Sequence, residues 1–76
     1  MSFHSDVISV LIKDQAHFLV DTISLVRGNR SSRSSFSSLE DAVIFARAKS
    51  VWVQVDNLDT WSPPERHIIM KVLAEA

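Results

Sequence analysis

A chain of 76 residues, 46% apolar and 22% charged, has room for one small hydrophobic core, so residues 1–76 are expected to form a single compact domain. Its formal charge of −1 supplies no overall pull toward nucleic acid or membrane. The absence of cysteine excludes disulfides, thiolate catalysis and cysteine-bound metal or iron–sulfur centres. A secreted domain this small would usually carry such staples, and the opening MSFHSDVISVLIKD lacks the basic start and long apolar run of a signal peptide. No run approaches the ~18 apolar residues of a membrane span, and the expectation is therefore a cytoplasmic protein with no membrane contact.

In chain order, residues 5–26 admit two readings. As one helix from Ser5, most apolar residues of positions 7–26 share half of the helical wheel, with Gly28 just past the end. As strands, VISVLI and FLVDTISLVR are dense in Val, Ile and Thr, the polar KDQAH separates them, and Gly28-Asn29 makes a two-residue turn into RSSRSSF. The strand reading is preferred because a later strand needs neighbours and this hairpin supplies them through short connections.

Residues 27–42, RGNRSSRSSFSSLEDA, combine three arginines at spacing three with six serines in the eight positions 31–38. Ser37 with Glu40 and Ser38 with Asp41 have the spacing of capping boxes, and Leu39, Ala42, Val43 and Ala46 form the stripe of a helix near 39–48. Ile44 and Phe45 fall off that stripe, which calls for a cover on a second side of the helix. SVWVQVDN alternates Val51, Val53 and Val55 against Trp52, Gln54 and Asp56, the period of a strand with one aliphatic face. Trp52 then points away from the valines, either beneath a second layer or toward a partner. In WSPPERHIIMKVLAEA, Ser62, Pro63 and Glu65 start a helix from about 63 to 75, with Ile68, Ile69, Val72 and Leu73 on one face and His67, Lys71 and Glu75 opposite. Trp61, joined by Leu58, is expected to seat the loop before it.

The fold class read from this order is α+β: β-β-β-α-β-α, a small antiparallel or mixed sheet with both helices on one face.

Few residues have the pattern of a chemical site. His4, His17 and His67 are far apart and none has a second ligand at i+2, i+3 or i+4, so no metal site is expected. Asp56, Asn57 and Asp59 lack the spacing and the glycine of a calcium loop and are read as turn formers. One glycine cannot build a phosphate cradle, and neither a nucleophile elbow nor a paired base is visible, so neither catalysis nor a cofactor is expected. The serines could accept phosphate, but the S-x-x-E/D spacing already has a structural role in capping.

What remains is contact surface. Arg27, Arg30 and Arg33 would line one side of a three-residue-per-turn extended segment and could track phosphates, whereas a pleated strand sends Arg30 and Arg33 to opposite faces. A polar edge strand that resists pairing with other chains is the preferred reading of this stretch. Trp52, with Phe45 and Ile44, is more apolar surface than so small a domain easily hides. The function expected is a small protein-binding module: an inhibitor, adaptor or accessory subunit that occupies a surface on a larger protein target, or a homodimer. Compact domains of this style are frequent in phages and mobile elements, an association by size alone. The partner-contacting residues would be Trp52, Phe45, Ile44, Arg27, Arg30 and Arg33. The alternative is a nucleic-acid-binding module that places the three arginines on phosphates.

Overall fold

The computed structural model describes residues 6–25 and 31–75, and within them the elements run β1 (Val7–Asp14), β2 (His17–Ser24), β3 (Ser31–Phe36), α1 (Leu39–Lys49), β4 (Trp52–Val55), a 3-10 turn (Leu58–Thr60) and α2 (Pro63–Ala74). The strand reading of the N-terminal third holds, and the single-helix alternative over 5–26 is excluded by β1 and β2. One correction concerns KDQAH, expected to separate the strands: Lys13, Asp14 and His17 belong to them, and the turn is Gln15-Ala16 alone, with Asp14 opposite His17. Gln15 takes a φ of 52°, in the left-handed region that a tight two-residue hairpin demands. The expected turn at Gly28-Asn29 lies outside the described residues.

The four strands form one mixed sheet in the order β3-β2-β1-β4. β1 pairs antiparallel with β2 and β2 antiparallel with β3, so β3 runs in the direction of β1. β4 pairs parallel with β1 at the far edge. A parallel strand cannot be reached by a tight turn, which is why α1 spans the sheet between β3 and β4.

Both helices start where their sequences provide caps. Ser38, rather than Ser37, caps α1: its Oγ accepts the Asp41 N–H at 3.4 Å. Glu40 and Asp41 in the first turn and Arg47 and Lys49 in the last complement the helix dipole. α2 carries a full capping box, the Ser62 Oγ accepting the Glu65 N–H at 3.4 Å and the Glu65 carboxylate accepting the Ser62 N–H at 2.8 Å, with proline in the first turn.

The core lies between the sheet and the helices. Leu11 and Val20, opposite each other on β1 and β2, meet Leu39, Ala42, Val43 and Ala46 of α1, Ile69 and Val72 of α2, and Trp61. α1 contacts all four strands, and α2 packs chiefly on α1. Small residues at Ala42 and Ala46, both fully buried, let α1 approach its neighbours closely.

Trp61 seats the loop before α2, as expected, and also ties that loop to the sheet. It is buried, stacks on Phe18 of β2 at 5.9 Å between ring centroids, and donates its indole N–H to the Asp56 carbonyl at 2.8 Å. Lys13 lies over the same ring at 5.8 Å and donates to the Glu65 carboxylate at 2.7 Å, joining β1 to the start of α2. Leu58, expected to join Trp61 in seating this loop, is instead exposed. The turn around it is closed by the backbone, with the Thr60 N–H donating to the Asn57 carbonyl at 2.9 Å, and Asn57 contributes a left-handed φ of 48° rather than a side-chain bond.

Candidate functional site

Strand alternation and the observed register sort the sheet residues onto two faces. On the helix-covered face lie Ser9, Leu11 and Lys13 of β1, Phe18, Val20 and Thr22 of β2, Ser32, Ser34 and Phe36 of β3, and Val53 and Val55 of β4. The opposite face, on which neither helix lies, carries four cross-strand rows. Trp52, Ile8, Ile23 and Ser31 form the first, Gln54, Val10, Asp21 and Arg33 the second, Ile12, Leu19 and Ser35 the third, and Asp14 and His17 the fourth.

This helix-free face carries an aliphatic patch on β1 and β2 beside Trp52, bordered by Gln54 on β4, by Asp14, His17 and Asp21 on β1 and β2, and by the polar β3. Its aliphatic residues Ile8, Val10, Ile12, Leu19 and Ile23 are each partly accessible, and Trp52 is 61% exposed. The Trp52 indole N–H donates to the Gln54 side-chain oxygen at 3.3 Å. An exposed aromatic ring thus lies in one cross-strand row with Ile8 and Ile23.

The polar border is neutralised internally. Arg33 donates through two nitrogens to the two oxygens of Asp21, at 2.6 and 2.8 Å, across the β2–β3 register. The hydrogen-bonded guanidinium holds the Asp21 carboxyl below the usual aspartate range against the opposing effect of burial, and Arg33 is held above its own ordinary value by the same contact. The forked geometry makes this pair well defined for a surface contact.

The residues singled out in the sequence are thus not brought to one place. Trp52 and Arg33 share the helix-free face, at opposite edges of the sheet. Ile44 is exposed on α1, in the other layer. Phe45 is covered by its own chain, with its ring 5.1 Å from Phe36 and the Lys49 ammonium 5.7 Å over it, so the second cover expected for α1 at this position is β3. Arg27 and Arg30 lie outside the described residues. Because Ser31–Phe36 is a pleated edge strand, the preferred reading of the serine-rich stretch holds for that part.

The sequence reading overlooked the isoleucines. Ile8, Val10 and Ile12 alternate with Val7, Ser9 and Leu11, so β1 is apolar on both faces, the signature of a strand covered on both sides. That signal was present in VISVLI.

Among the described residues no cluster of His, Asp or Glu has the geometry of a metal site, and no helix is long and apolar enough to cross a membrane. Comparison of the chain with protein-family models, curated protein sequences and solved structures finds no match.

Proposed function

We propose that this protein is a small binding module that docks the helix-free face of its sheet on a larger protein, acting by occupancy and performing no chemistry of its own. The observation that carries this reading is Trp52, 61% exposed at the end of a row containing Ile8 and Ile23. An exposed tryptophan beside aliphatic side chains costs solubility unless something covers it, and tryptophan is a favoured anchor of protein interfaces. The Asp21–Arg33 pair and the serines of β3 supply the polar rim that borders such an apolar centre. A cysteine-free chain suits a reducing compartment, and we place the protein in the cytoplasm.

Nucleic-acid binding is not the reading adopted. It needs free cationic side chains along the chain, and Arg33 directs its donors at Asp21 instead.

The test is affinity capture from the native cell with wild type, Trp52→Ser and Arg33→Glu compared side by side, with nuclease treatment and circular dichroism of each variant. One nuclease-resistant protein, retained by Arg33→Glu and lost with a folded Trp52→Ser, supports the binding module. Nuclease-sensitive capture lost with Arg33→Glu overturns it in favour of nucleic acid.

A further inference from the structure

A groove of about 400 Å³ lies where the end of α1, the start of β4 and the end of α2 come together, lined by Arg47, Ser50, Val51, Trp52, Val53 and Leu73. Its walls are largely apolar. Val51 and Leu73, both expected in the sequence to face the core, are exposed here, Val51 to 61%. Three of the lining side chains carry hydrogen-bond donors, and two of these are already used within the chain. The Ser50 hydroxyl donates to the Ala46 carbonyl at 2.6 Å, and the Trp52 indole N–H to the Gln54 side-chain oxygen. Arg47 is the third. It is half-buried, and it takes part in neither of the ion pairs among the described residues, which join Lys13 to Glu65 and Arg33 to Asp21. Lys49, the other cation in the last turn of α1, lies over the Phe45 ring instead.

We propose that this groove binds a small monocarboxylate with an apolar body, its carboxylate on the Arg47 guanidinium and its body along Val51, Val53, Leu73 and the Trp52 ring. The site lies beside α1 and α2, whereas the binding-module reading uses the helix-free face. The proposal goes beyond that reading and does not rest on it.

Charge selects the head of the ligand. A guanidinium presents its N–H donors in a planar fork and has no acceptor, the geometry that a carboxylate meets with two parallel bonds. A half-buried cation loses part of its hydration, and a counter-charge offsets that loss. Arg47 is the one charged side chain among the described residues of the groove, so it matches a single negative charge. A phosphate monoester, closer to two charges at neutral pH, calls for more than one cation.

The walls select the rest. Val51, Val53 and Leu73 are aliphatic and the Trp52 donor is engaged, so a polar group on the body of the ligand would lose water without gaining a side-chain donor. Size favours a small molecule over a protein. The volume falls within the roughly 300–1,000 Å³ of ligand sites, whereas a standard protein interface takes about 20–30 residues a side and six line this groove.

The test is titration of the isotope-labelled chain with decanoate, kept below its micelle concentration and followed by NMR. The two tryptophans give two indole N–H signals, which Trp52→Phe assigns. The expected result is a saturable shift of the Trp52 indole and of the Arg47, Val51 and Val53 amides, with the Trp61 indole unmoved. Decanol, with the same body and no charge, and acetate, with the charge and no body, are each expected to bind about tenfold more weakly or less. Arg47→Gln is expected to weaken decanoate about tenfold, the loss of one charge-assisted contact, and to leave decanol unchanged. If Arg47→Gln does not fold, the comparison of decanoate with decanol on the wild-type chain decides alone. Equal affinity for the two overturns the proposal, as do decanoate binding that a folded Arg47→Gln leaves intact and shifts centred on Ile8 and Leu19 of the helix-free face. A short peptide with an aliphatic C-terminal residue and a free carboxylate, binding in the groove where decanoate does not, overturns it in favour of another protein's terminus. These readouts need no partner protein, so a failed titration and a failed capture experiment are distinguishable.

Discussion

Ser9 is fully buried on the helix-covered face of β1, with Val53 and Thr22 as its cross-strand neighbours, and its hydroxyl finds no partner among the described residues. A buried polar atom that forfeits its hydration without a new hydrogen bond destabilises the fold. Ser9→Ala is therefore expected to raise stability by about 1 kcal/mol, read as a higher midpoint in urea with unchanged slope. Two carboxylates act in the opposite sense. Asp21, held by Arg33, and Glu65, held by Lys13 and the Ser62 N–H, both titrate below their ordinary values of 3.8 and 4.5. A carboxyl whose pKa is lower in the folded state adds stability that is fully present above the unfolded value and is lost as pH falls through the folded one. Acid should thus erode wild-type stability as pH falls below those ordinary values, and Asp21→Asn with Glu65→Gln should flatten that limb in acid titrations followed by circular dichroism. Both groups lie near the surface, so the effect is modest and weakens with salt.

Among the elements, the helices were the most legible in the sequence, because their signals are local: Ser62-Pro63-Pro64-Glu65 satisfies the first turn of α2 with its own side chains. Removing that cap by Ser62→Ala is expected to cost about 1 kcal/mol, with thermal unfolding as the readout. The observed bounds of α1 and α2 fall within a residue of those read from spacing. Strands were harder. VISVLIKD and HFLVDTIS fit a helical wheel almost as well as a pleat, since β1 is apolar on both faces and a two-sided strand loses its alternation. The tight turn at Gln15-Ala16 carries no glycine or asparagine, and so the polar KDQAH resembled a longer loop. Gln15→Gly should relieve its left-handed φ and raise stability by roughly 0.5–1 kcal/mol, the urea midpoint again reporting it.

At the scale of the whole molecule, the two tryptophans divide structure from surface. Trp61 joins β2, β1 and the start of α2 through a ring stack, a cation over its face and an indole hydrogen bond. Trp61→Ala removes roughly 3–5 kcal/mol, comparable to the total stability of so small a domain, and the expected product is an unfolded chain with the far-ultraviolet signature of coil. Trp52→Ser should leave the fold standing, with a melting temperature close to wild type. Taken alone, the sequence determined the order of elements, the helix caps and the outward direction of Trp52 relative to Val53 and Val55, because these depend on backbone propensity, capping spacing and a period of two. Tertiary structure alone decided that β4 joins β1 rather than β3, that Phe45 closes on Phe36, that Arg33 is bound to Asp21, and that Ile8, Val10, Ile12, Leu19 and Ile23 gather on one face with Trp52. Those outcomes depend on strand order and register, which bring residues far apart in the chain to adjacent positions, and no local pattern in the chain encodes that pairing.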